Sequence, residues 1–258
     1  MLREILKPIE NELNIVNNAV EKEMFIRTDH IGTYAHLEFS YYERVIRPAL
    51  VILSSSVYGC AGEKTLSLAC VFQFIHMASV VHKNIPEKDT DYIREDSDPR
   101  DGSQFPVLVG DYLYGKFFSY LNDIGMINYL GPIAEIICEI HEGGILRNKI
   151  KGKNPASEAY CEVVRKETAE LFAGCAAMGA RVAGASEYDQ EYMRILGKNI
   201  GMAFGLKERG AAAKYTAAYL DEALAVLSHV PDLAGRAMLE QIIYNISGHS
   251  ASMRRMVI

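Results

Sequence analysis

The stretch 64–85, KTLSLACVFQFIHMASVVHKNI, restricts the possible folds more than any other part of the chain. Leu66, Leu68, Val71, Phe72, Phe74, Ile75, Val80 and Val81 fall all round a helical wheel and leave no polar face. Such a helix has to be enclosed by other elements, so the chain must build a bundle around it. Suitable partners flank it. Leu2, Ile5, Leu6, Ile9, Leu13 and Val16 recur at spacings of three and four, and the same rhythm returns over 36–57, 106–122, 127–143, 156–183, 188–206, 212–228 and 233–255. No stretch keeps a period of two for long, so the expected fold is all-α. The punctuation agrees. Asn154 and Pro155 read as a cap followed by proline at the first helical position, and Ser186 through Asp189 as a capping box. Gly143 and Gly144 read as a helix end, and Val230, Pro231 and Asp232 as a break between the last two helices.

The chain has 258 residues, 49% of them hydrophobic, without a linker or an internal repeat, so 1–258 is expected to form one helical domain. A net charge of -6 argues against a general nucleic-acid binder, which needs a basic surplus. Cys60, Cys70, Cys138, Cys161 and Cys175 lack metal-ligand spacing and read as reduced core cysteines. The first residues form an acid-bearing amphipathic pattern unlike a signal or transit peptide. No membrane span is expected, because no run of apolar residues reaches about 18; a cytoplasmic protein is the expectation. From His82 onward the chain turns polar. Residues 86–105 carry seven acids and three bases, so a solvated loop is expected over about 87–104.

Five segments occur in the order found in the trans-isoprenyl diphosphate synthases, the polyprenyl synthetase family, which the chain resembles from about residue 40 onward. They are RVIRPALVIL (44–53), FIHMASVVH (74–82), VLVGDYLYGKFF (107–118), ETAELFAGCAAMGARVAG (167–184) and LGKNIGMAFGL (196–206). The resemblance implies a bundle of long helices around a central cavity, assembled as a homodimer or heterodimer. The activity it implies is condensation of an allylic diphosphate with isopentenyl diphosphate. That reaction expels a diphosphate, and the family supports the departing charge with two D-D-x-x-D motifs. Carboxylates at i and i+4 share one helix face about 5–6 Å apart and suit Mg²⁺ ions bridging to diphosphate oxygens.

This sequence departs from both motifs. The first reads Lys83-Asn84-Ile85-Pro86-Glu87, leaving only Glu87 as an acid. The second falls on Lys207, Glu208 and Arg209, with Ala212 at its third acid. By resemblance, Arg44, Arg47 and His76 stand where the isopentenyl diphosphate is held, although the middle arginine of that element is Val45. The family's Lys-Thr pair maps to Glu167 and Thr168, with Lys166 one place early, and a glutamine position carries Arg147. The plainer readings are a surface pair between Lys83 and Glu87, a core histidine at 76, a charged helix end at 207–210 and a solvated basic loop over 147–153.

Three functions compete. The favoured one is a catalytically degenerate subunit that dimerises with an intact prenyl diphosphate synthase, because packing motifs survive where metal motifs do not. It needs no cofactor. The second is an active prenyltransferase, using Mg²⁺ or replacing it with its own cations. One ammonium at ~4 Å supplies ~4 kcal/mol at an effective dielectric of 20, against the ~8–23 kcal/mol enzymes provide. Lys83, Lys207 and Arg209 would therefore have to converge. The third is a lipid-binding or regulatory module that keeps the cavity and binds a prenyl chain without reacting.

Overall fold

The structure is a computed structural model describing residues 1–26, 29–35, 37–59, 61–83, 85, 104–150, 157–231 and 233–248. Its helices are α1 (Leu2–Leu6), α2 (Glu10–Glu23), α3 (Tyr41–Tyr58), α4 (Glu63–Lys83), α5 (Gln104–Asp123), α6 (Leu130–Lys149), α7 (Glu158–Val164), α8 (Glu170–Val182), α9 (Glu187–Glu208), α10 (Ala213–Leu227) and α11 (Ala234–Ser247). A π-helical turn, Arg165–Ala169, joins α7 to α8. Among the described residues the only β pairing is an isolated bridge between Phe25 and His30. The all-α reading holds.

As its apolar circumference requires, α4 is central. It packs against α2, α3, α5 and α8, and Phe72, Phe74 and Ile75 are fully buried. By length and hydropathy α4 alone among the described helices is apolar enough to resemble a membrane span. Neighbouring helices bury 72% of its apolar window, which makes it a core helix. The opposite wall is the pair α8 and α9, spaced by small residues. An added Cβ at Gly197 would lie 2.4 Å from the Phe172 carbonyl oxygen. At Gly201 it would lie 2.7 Å from the Ala169 Cα, and at Gly205 2.8 Å from the Val164 Cγ1. Glycine at every fourth position thus draws α9 down along α7 and α8, and the next position in that row is Arg209.

Helix ends follow local chemistry. Ser40 and Glu43 form a capping box at α3, and the Ser186 hydroxyl accepts the Asp189 backbone N–H at α9. The start of α7 is capped by Ser157; Asn154 and Pro155 lie outside the described residues. Gly143 and Gly144 do not end α6, which continues to Lys149. Gly143 instead allows close approach, since a Cβ there would sit 2.8 Å from the Lys166 Cβ and 3.1 Å from the Glu167 nitrogen. The cysteine expectation holds for Cys70 and Cys175, which are buried; Cys161 on α7 is half-buried and Cys138 on α6 exposed, and Cys60 lies outside the described residues.

Candidate functional site

Three helix ends meet around one carboxylate. Lys83 is the last residue of α4, Arg147 lies in the last turn of α6, and Arg209 caps α9. The C-terminal end of a helix carries partial negative charge, so each of these positions suits a cation. All three turn toward Glu167 of the π turn, whose side chain is only 7% exposed. Arg209 Nη2 donates to Oε2 at 2.6 Å, Arg147 Nη1 is 2.8 Å from Oε1, and Lys83 Nζ is 3.6 Å from Oε2. Arg209 Nη1 also donates to the Thr168 hydroxyl at 3.3 Å and to the Gly205 carbonyl at 3.2 Å. Burial lowers the Lys83 ammonium below its ordinary 10.5; Glu167 opposes that shift, and the Arg209 and Arg147 guanidinium groups add to it.

The sequence-derived residues divide around this cluster. Lys83 and Arg209 converge, but Lys207 does not, because its ammonium donates to the Ile246 carbonyl at the end of α11 at 2.7 Å. Asn84 and Glu87 lie outside the described residues, as does the segment 86–103, so the proposed pair between Lys83 and Glu87 does too. Glu208 is exposed; its charge acts on half-buried Tyr42 and on buried Arg47. Lys166 is drawn to Glu139 and Glu142 of α6, each at 2.8 Å, while Thr168 stays with Arg209. Arg147 is helical and ion-paired, not part of a solvated loop. Sequence reasoning noted the sign of Arg147 and Glu167 without pairing them. The clue lies in the resemblance, which implies other residue types at these three bases and one acid, whose charges oppose one another.

A second group lies deeper. Arg47 is buried to 5% exposure, its guanidinium carbon 5.2 Å above the Phe172 ring, and its Nε and Nη1 have no hydrogen-bonded partner. Burial lowers it to about 10, with nearby Cys175, Glu43 and Glu208 pulling the other way, so it stays charged at neutral pH. His76, also buried, lies 5.7 Å from the Phe39 ring, and its Nε2 has no partner either. Burial, then Arg47 and Lys83, drive its ring well below the ordinary 6.5. Arg44, one turn earlier on α3, is exposed.

The His76 shift has a measurable consequence. Near pH 6 the unfolded chain binds a proton at this ring and the folded one does not, so stability is full above about 6.5 and falls as pH drops below it. The expected slope from this one group approaches about 1.4 kcal/mol per pH unit. Urea midpoints between pH 7.5 and 5.5 should show a steeper decline for the native chain than for His76→Asn.

The described residues of this cluster do not fit Mg²⁺. It requires several oxygen ligands, and the one carboxylate at the cluster is already surrounded by cations. Among the described residues no group of three or more His, Cys, Asp or Glu side chains is placed to hold a metal. A separate cleft of about 800 Å³ runs between α6, α8 and α9 over Ile136, Ala173 and Met178, and its lining includes none of the four cluster residues.

A central apolar helix, glycine-spaced contacts of α9 with α7 and α8, and three charged helix ends gathered on one carboxylate characterise this all-α bundle. The chain belongs to the polyprenyl synthetase family, whose model matches residues 39–208. It is 25% identical over 193 residues to the octaprenyl diphosphate synthase of Escherichia coli, a match covering 74% of this chain and 60% of the relative. The chain thus spans about three-fifths of that relative's length. It is 28% identical over 166 residues to heptaprenyl diphosphate synthase component 2 of Geobacillus stearothermophilus, covering 63% of this chain and 52% of the relative. A decaprenyl diphosphate synthase from Rhodobacter capsulatus has the same fold, with a TM-score of 0.79 at 20% identity over 95% of this chain and 98% of that one.

Proposed function

We propose that this polyprenyl synthetase-like chain is a non-catalytic subunit that pairs with an intact prenyl diphosphate synthase. One observation carries the reading. Lys83 and Arg209, at positions where the resemblance implies metal-binding acids, are closed together with Arg147 onto Glu167. A site that holds cations of its own repels the divalent ions that would draw a diphosphate from its prenyl chain. The rest of the scaffold is retained. Large apolar side chains of α5 and α6 are also open to solvent, with Leu108 57%, Phe118 48% and Ile145 59% exposed, the kind of group a subunit contact covers. One relative's name marks it as a component of a multi-part synthase, which accords with this role. In the pair, buried Arg47 and His76 keep the chain's own grip on a diphosphate, with exposed Arg44 at its edge.

The test is association. Mixed with a synthase that has both aspartate-rich motifs, the chain should co-elute with it and change its product length. Leu108→Glu with Phe118→Glu should abolish co-elution while leaving the helical circular dichroism of the isolated chain unchanged. Failure of the native chain to associate with such a synthase would overturn the reading. The opposing proposal, a transferase that works with its own cations, gains support from the convergence of Lys83 and Arg209; turnover by the isolated chain would decide for it.

A further inference from the structure

Among the described residues, the cluster around Glu167 sets three cations against one carboxylate, two positive charges more than Glu167 can match, in a site where that side chain is 7% exposed. Its donors are not all used. Arg147 Nη1 is buried and 2.8 Å from Oε1, yet out of line for a hydrogen bond. Lys83 stands off at 3.6 Å, and its side chain is 44% exposed, so its ammonium is reachable from solvent. A single carboxylate satisfies such a group incompletely, whereas an anion with two or more charges and several oxygens matches both its charge and its planar guanidinium forks.

We propose that Lys83, Arg147 and Arg209 form a diphosphate-binding site that operates without a divalent cation, with the Glu167 carboxylate as its resident anion. An incoming diphosphate takes over the donors that Glu167 now occupies, and the carboxylate turns aside or is left with one partner. Divalent ions work against this site, because they are repelled by its surplus charge and withdraw diphosphate into their own complex. The inference rests on the same reversal of charge as the subunit reading but not on the subunit role, and each has its own readout: association for one, metal-free binding for the other. Free diphosphate and a diphosphate carried on a prenyl chain share the chemistry that this site recognises.

Calorimetric titration of the full chain in EDTA tests it, with inorganic pyrophosphate in one arm and farnesyl diphosphate in the other. Binding is expected in EDTA, and excess Mg²⁺ should weaken it. Lys83→Gln and Arg209→Gln should each lower the affinity about tenfold or more, the effect of losing one charge-assisted contact. Glu167→Gln should raise it by a similar factor. Equal affinity in the two arms assigns the site to free diphosphate, and tighter farnesyl diphosphate binding assigns it to the lipid-borne form. The proposal is overturned if neither ligand binds in EDTA, if binding needs Mg²⁺, or if Lys83→Gln and Arg209→Gln bind as the native chain does. Should Glu167→Gln fail to fold, those two variants and the Mg²⁺ dependence still decide.

Discussion

Replacing Glu167 with alanine is expected to cost about 3 kcal/mol of stability, the lower end of what breaking a buried ion pair costs. The lower end applies because two partners keep some contact with water: Arg147 is 26% and Lys83 44% exposed, and solvent screens part of their repulsion. Arg209, at 16%, is the cation left most exposed to the loss. In a chain of this size the melting temperature should fall by about 6–12 °C. Adding pyrophosphate in EDTA should recover part of that loss, because a ligand binding only the folded state stabilises it by mass action. Alanine at Glu142, whose side chain is 62% exposed, serves as the control and should change the melting temperature little. Equal melting temperatures for the native chain and Glu167→Ala would mean that the cluster does not hold the four segments together.

Phe172→Ala should be at least as damaging, by about 3–5 kcal/mol. Phe172 is fully buried on α8, stacks on Phe204 of α9 with ring centroids 5.2 Å apart, and lies beneath the Arg47 guanidinium. Truncation therefore removes core volume and the aromatic face that lies against the buried charge. Collapse into the cavity is hindered because Gly197 already brings α9 against the Phe172 carbonyl. Leucine should restore most of the volume without the π face, so the difference between the two variants, read from urea midpoints, isolates what the ring gives to Arg47. A loss below about 1 kcal/mol for Phe172→Ala would show that this wall is not tightly packed.

Much of the fold was legible because burial and capping leave local marks. The unbroken apolar circumference of α4 implied its central place, and Ser186 marked the start of α9. Gly143 misled because a glycine in a helix has two physical uses. It terminates when its backbone turns left-handed, as Gly210 does at φ 75° after α9, and it permits close approach when a neighbour would strike a Cβ. Only the neighbour distinguishes them, and the neighbour here comes from residues 166 and 167.

The candidate site was legible in its losses and not in its replacement. By the resemblance, acids are expected at 83 and 209, and Lys83 and Arg209 stand there instead. The pairing of Lys83, Arg147 and Arg209 with Glu167 spans four separate segments, and charge alone did not separate Arg209 from Lys207, two residues earlier. Helical rotation separates them: one extends the glycine row of α9 toward Thr168, and the other reaches the end of α11. The π turn has the same effect on Lys166 and Glu167, sending adjacent charges to different partners.

The most direct measurement is release of pyrophosphate by the isolated chain given farnesyl diphosphate, isopentenyl diphosphate and excess Mg²⁺. On the proposed reading of a non-catalytic subunit, the chain should release none above the rate without protein. Mg²⁺-dependent release that disappears in EDTA would contradict it.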